Sequence, residues 1–247
     1  MRWSAIRPLL WKETRQLGRN RSALLTSSLL PFVLLFVAPI QILLSIRLGG
    51  GNLGTLRDAP LPGFAGLTDP TQLVVQFVYP LLLVLGGLLL PSLTTTYAIV
   101  AERERRSLDL LVSLPVTVSE ILTAKLLSVL FVTAMVGLPY VSVVLALLLV
   151  VGLAGPATIP ALLAPFLAAI VCSTGIALLL TLLARDFRTA NNLNGAFFVP
   201  ILFVSIGTLS AISGPGRTYV LAAMLLVVAA VAFLVALRWI SFERYLE

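Results

Sequence analysis

Residues 126–184 form a run of 59 with no charged side chain. Soluble domains carry charge at about one residue in four, so no water-exposed surface can be built from such a run. Four further charge-free stretches cover residues 22–46 (25 residues), 70–101 (32), 189–216 (28) and 218–237 (20). A helix needs about 20 apolar residues to cross the hydrocarbon core of a bilayer. The 59-residue run holds two such crossings and a turn, which brings the number of spans to six. Their expected limits are 23–46, 74–99, 121–151, 161–184, 191–212 and 218–239. The runs do not alternate polar with apolar residues, as strands of a membrane barrel would. The chain therefore reads as an all-α membrane protein of six transmembrane helices forming a single transmembrane domain over 1–247. The third expected span is long; Pro139 kinks it or its first turn lies among the headgroups. Internal prolines (Pro31, Pro39, Pro80, Pro91) are compatible with membrane helices where neighbours take up the freed carbonyls.

Orientation follows from the basic residues. If the N-terminus is inside, 14 of the 17 Lys and Arg fall in cytoplasmic segments, leaving Arg47, Arg57 and Arg217 outside. Positive-inside bias of this size places both termini in the cytoplasm. The first apolar stretch is too long for a signal-peptide core, which runs 7–15 residues, so it is expected to stay as a span. Ahead of it, residues 1–21 are basic and amphipathic. Leu10, Thr14 and Leu17 share one helical face, while Lys12, Arg15 and Arg19 lie roughly opposite. Trp3 and Trp11 suit the headgroup zone. This segment is expected to be an N-terminal interfacial helix, with a plain positive leader as the alternative. The outer loop, 47–72, is rich in Gly and Pro and offers turn chemistry with little to pack.

The most informative connection is the cytoplasmic loop at 101–120, which runs on to Lys125. Glu102, Arg103, Glu104, Arg105 and Arg106 form a mixed-charge cluster. A short amphipathic segment with Leu108, Leu110 and Leu111 follows, and Pro115 ends it. Thr117 and Glu120 have the spacing of a capping box ahead of the next apolar run, and Lys125 is placed to snorkel to the interface. A merely solvated loop needs neither three leucines nor four acidic residues, whereas a surface that meets a partner uses both. The second cytoplasmic loop, 184–192, offers Arg185, Phe187 and Arg188 as a lesser contact or as an aromatic belt with basic flanks.

Several chemistries are missing from the sequence. There is no histidine, and the single cysteine, Cys172, lies inside an apolar run. No phosphate-binding G-x-x-x-x-G-K-[ST] loop occurs, nor any hydrolase or metalloprotease signature. No expected span has a charge at its centre, which argues against ion-coupled transport. No aromatic-interleaved basic domain suggests nucleic acid. The chain is expected to bind no cofactor or metal of its own and to have no catalytic residue. Any energy for transport must come from another subunit.

The loop after the second span resembles the membrane subunit of type-2 ABC exporters. The resemblance rests on Glu102-Arg103-Glu104, on Leu108 and Leu111 followed by Pro115, on Glu120-Ile121-Leu122 and on Lys125, in a six-span chain. It implies a separate ABC ATP-binding subunit that holds ATP and Mg, a second permease chain (identical or related), and residence in the plasma membrane. Residues 102–106 with Leu108, Leu110 and Leu111 would be the main ATPase-coupling element; Arg185, Phe187 and Arg188 would assist. Spans one, two and five would line the pathway, which points to Gln41, Gln76, Thr95, Asn191 and Asn194. The alternative readings are back-bonding of Thr to its own helix and capping of the fifth span by Asn191 and Asn192. An apolar lining would suit a hydrophobic, drug-like or lipid-like substrate. The family's re-entrant helices between spans five and six have only about five residues here; either the fifth span ends near Gly207 or the feature is reduced. A membrane scaffold, an ion-coupled transporter without an ATPase and a lipid-modifying enzyme are the competing readings.

Overall fold

A computed structural model describes residues 7–8, 10–12, 14–15, 28–48, 70–104, 118–183, 187–212, 214 and 216–239. Among these, every regular element is helical. Six helices are long and apolar enough to cross a membrane. Helix α1 covers 28–48 and includes a π turn at Val33–Val37 before Ala38–Leu48. Helix α2 covers 70–104: Pro70–Leu73, a π turn at Val74–Val78, then Tyr79–Glu104. Helices α3 to α6 are Val118–Val150, Thr158–Leu183, Phe187–Ala211 and Arg217–Trp239. The spans expected from charge spacing are therefore present in number and order.

The two π turns have one cause. Each ends two residues before a proline, Pro39 in α1 and Pro80 in α2. A proline ring clashes with the carbonyl four residues back and cannot donate to it. Widening the turn to an i→i+5 bond relieves that clash, and the amides of Ala38 and Tyr79 donate to Val33 and Val74 respectively. The Tyr79 hydroxyl then donates to the Pro39 carbonyl at 3.0 Å, which ties the two widened regions together. Phe32 and Phe36 meet Tyr140 of α3 at ring separations of 5.4 and 6.3 Å.

Helices α2 and α4 are the centre of the bundle. The spans of α4 and α2 are 72% and 61% buried, against 22% for α1 and α5. On one side, Leu35, Tyr79, Val141, Leu148 and Phe166 join α1 and α3 to the central pair. On the other, Val84, Leu88, Cys172, Ile176, Leu221 and Leu225 join α5 and α6 to it. Lipid is as apolar as leucine, so membrane helices associate through close packing of small residues rather than through water exclusion. At Gly87 a β-carbon would stand 2.9 Å from the Phe166 carbonyl oxygen, so only glycine lets α2 and α4 approach this closely. Against α6, α4 presents Gly175 to Ala229 and Ala232.

One alternative left open by the sequence, the end of the fifth span, is decided here. Helix α5 runs unbroken through Gly207 to Ala211, and 212–216 alone connects it to α6. There is no room for re-entrant helices, so that feature is reduced. Helix α3 is one 33-residue element that continues through Pro139. Its extra length precedes the apolar span, which begins at Thr123.

Candidate functional site

The α2–α3 connection carries the mixed-charge cluster. Glu102, Arg103 and Glu104 continue α2 to its last residue. Arg105, Arg106, Leu108, Leu110 and Leu111 lie outside the described residues, as does Arg185. Phe187 is the first residue of α5 and Arg188, exposed, is the second. Lys125 is 2% exposed and so does not reach out to the interface as snorkelling required. It lies two residues inside the apolar span of α3.

At the N-terminus, residues 7–8, 10–12 and 14–15 are helical. The Thr14 hydroxyl donates to the Leu10 carbonyl at 2.7 Å, and the Arg15 guanidinium sits 5.0 Å from the Trp11 ring centre. Arg7, Pro8, Leu10, Trp11 and Thr14 line an open groove of about 500 Å³ with Phe131 of α3. The N-terminal segment therefore meets the half of α3 that follows the charged connection.

The polar residues expected to line a pathway lie on α1, α2 and α5. Gln41 is exposed on α1 and Gln76 is half-buried in the π turn of α2. Thr95 is 2% exposed on the same helix. Nineteen residues separate it from Gln76, roughly 28 Å at the helical rise. Asn191 and Asn194 are in α5, Asn194 buried. Because α5 already starts at Phe187, Asn191 and Asn192 occupy its second turn and do not cap it. Most hydroxyls bond back to their own helix as anticipated: Thr94 to Leu90 at 2.8 Å, Thr133 to Val129 and Thr174 to Ile170 at 2.7 Å. Thr95 is different, because its buried hydroxyl has no hydrogen-bond partner. Ser173 also departs from the pattern, donating from α4 to the Leu88 carbonyl of α2.

At the opposite end of α2 the structure assembles a cluster that the sequence reading missed. Arg217 had been counted as a loop charge; it opens α6 and is 5% exposed. Its Nη2 donates to Gln76 Oε1. Its Nε donates to the Gly214 carbonyl at 3.3 Å. Gly214, at φ 103°, holds a left-handed conformation that suits glycine. Thr158, the first residue of α4, and Thr218 line the same cavity of about 340 Å³. The available sequence signal was positional. A cation at a helix N-terminus opposes the helix dipole, so an arginine immediately before an apolar run calls for a specific partner.

The match that decides the family spans residues 7–218, over which the chain fits the model of the ABC-2 family transporter protein. This chain belongs to the ABC-2 transporter family. The match takes in α1 to α5 and the first residues of α6. No curated protein and no solved structure matches the chain. ABC-2 membership and six apolar helices make it an integral membrane protein, of the kind that serves as a permease subunit in an ABC transporter.

Proposed function

We propose that this ABC-2 chain is the substrate-conducting half of an ATP-driven exporter in the plasma membrane, working with a separate ATP-binding subunit and a second permease chain. The observation that carries the reading is the family match over a six-span chain whose sequence has no nucleotide-binding loop of its own. Energy then enters through a partner. The charged and leucine-bearing connection, with Arg105 and Arg106 at its centre, is the surface offered to that partner, and Arg185, Phe187 and Arg188 extend it. The distribution of Lys and Arg supports cytoplasmic termini and a cytoplasmic position for this connection. Residues 1–21 lie along the inner membrane surface.

The second permease chain packs against the sparsely covered side of α1 and α5, where Leu29, Leu30, Phe197 and Phe203 are exposed. The pathway forms there, and its apolar walls favour a hydrophobic, drug-like or lipid-like substrate. Nucleotide binding does work on the pathway only if the ATPase holds the connection differently in its two states.

The test is purification of the tagged chain from its native membranes in mild detergent, with mass spectrometry of what accompanies it. A roughly stoichiometric protein with nucleotide-binding motifs is expected. The R105E/R106E double variant should insert normally yet lose most of that partner. Undiminished recovery of the ATPase with the double variant sinks the coupling assignment. ATP hydrolysis that no hydrophobic substrate stimulates would favour a scaffold over an exporter.

A further inference from the structure

We infer that the open groove between the N-terminal segment and α3 holds one anionic phospholipid, its headgroup at Arg7 and Arg15 and its acyl chain along Leu10, Trp11 and Phe131. The inference rests on the reading that residues 1–21 lie along the inner membrane surface. Leu10, Trp11 and Phe131 give the groove apolar walls, and it measures about 500 Å³, within the range of small-molecule sites. Trp11 is 64% exposed and Phe131 56% exposed. Two aromatic residues this open in one groove present an apolar surface to its occupant.

The depth of the groove points to lipid. The apolar span of α3, Thr123–Val150, has 28 residues and is roughly 42 Å long, about 12 Å more than the hydrocarbon core. The end that carries Glu120 and Lys125 is the polar one, so the excess belongs among the inner headgroups. Phe131 is eight residues from Thr123, again roughly 12 Å. It therefore stands where headgroups give way to acyl chains, the level at which a phospholipid presents both. A water-soluble partner would bind further out.

Charge complementarity selects an anionic headgroup. Residues 1–21 carry six Lys and Arg and one acid, Glu13. Across the segments read as cytoplasmic, 14 Lys and Arg face only eight Asp and Glu, so the chain's own acids cannot cancel the surplus. Arg7 lines the groove and is exposed. Arg15 is exposed as well, and its guanidinium lies 5.0 Å from the centre of the Trp11 ring, so a second cation flanks the same wall. Arginine binds phosphate through parallel N–H bonds. A zwitterionic lipid offers the same acyl chain but offsets its phosphate with an ammonium of its own.

The test uses the full chain with Trp3→Phe and Trp239→Phe, which leaves Trp11 as the single indole. It is reconstituted in phosphatidylcholine nanodiscs doped with dibromostearoyl lipid, whose bromines quench an indole in contact with the chain. The phosphatidylglycerol form should quench Trp11 at about one-fifth of the mole fraction that the phosphatidylcholine form needs, the usual gain for one basic side chain at an anionic headgroup. Arg7→Gln should remove most of this preference and Arg7→Lys should retain part of it. Lys12→Gln should leave it, because Lys12 does not line the groove. Equal quenching by the two lipids overturns the inference while the surface placement of residues 1–21 stands. Quenching by neither overturns both, the groove then being filled by protein. An equal loss in Lys12→Gln and Arg7→Gln also overturns it, since diffuse attraction to an anionic surface weighs every cation alike. Where the two Trp substitutions unfold the chain, native mass spectrometry of the wild type decides. One phosphatidylglycerol retained per chain supports the site, and phosphatidylcholine retained as strongly overturns it.

Discussion

At Gly87 a missing methyl group sets the distance between the two central helices. A β-carbon there meets the Phe166 carbonyl oxygen at 2.9 Å and the Ala169 β-carbon at 3.0 Å. Backbone cannot step aside as a flexible side chain can. Gly87→Ala should therefore destabilise the folded chain by about 1–3 kcal/mol, the usual cost of overpacking. Thermal unfolding in detergent measures it. Gly195→Ala is the control: nothing lies within 4 Å of its β-position, and the helix gains up to about 1 kcal/mol in propensity. Ser173→Ala removes the bond to the Leu88 carbonyl and should cost about 0.6 kcal/mol, the average for such bonds between membrane helices. None of these roles was legible in the sequence. In the sequence Gly86 and Gly87 are two small residues in an apolar run, and Ser173 is one hydroxyl among apolar neighbours. Both depend on which helix lies opposite, which a one-dimensional pattern does not contain.

At the scale of elements, hydropathy identifies a span but says little about its orientation, because lipid and protein interior are equally apolar. In α6 the buried apolar positions are Leu221, Ala222, Leu225, Ala229, Ala232 and Ala236. Their spacing of three and four keeps one face toward α4. Met224, Val227, Val231 and Leu234 are exposed on the other side. In the second half of α6 the discriminating signal was size: Ala229, Ala232 and Ala236 mark the packed stripe, and Val231 and Leu234 the lipid side. Ala232→Leu should lower thermal stability, because position 232 is buried against Gly175 of α4 and three carbons are added there, while Val231→Leu, on the exposed side, should leave it nearly unchanged. Equal melting temperatures for the two variants would contradict the assigned face. The π turns were half legible. Pro39 and Pro80 announced a disturbance in α1 and α2, but the choice between a kink and a widened turn depended on the backbone.

For the whole molecule, the number and order of spans were legible because charge cannot enter hydrocarbon cheaply. The Arg217 cluster was not, since Gln76 and Arg217 stand 141 residues apart and each reads alone as ordinary. The proposed orientation is tested with a membrane-impermeant maleimide on intact cells. The native Cys172 is fully buried, so the unaltered chain should not label. Gly63→Cys should label and Ser107→Cys should not, and the reverse pattern would invert the topology. The lengths of the connections have a mechanical consequence. Three residues (184–186) join α4 to α5 and five (212–216) join α5 to α6. At 3.3–3.6 Å per residue these leashes reach roughly 11 and 18 Å. Helices α4, α5 and α6 are thus pinned at alternate ends, like bars of a folding rule. If α5 moves, it must pivot about one pin or the other and cannot slide away. The 21 residues between α1 and α2 (49–69) impose no such hinge, so α1 is held in place by packing and the Tyr79 hydroxyl rather than by its tether.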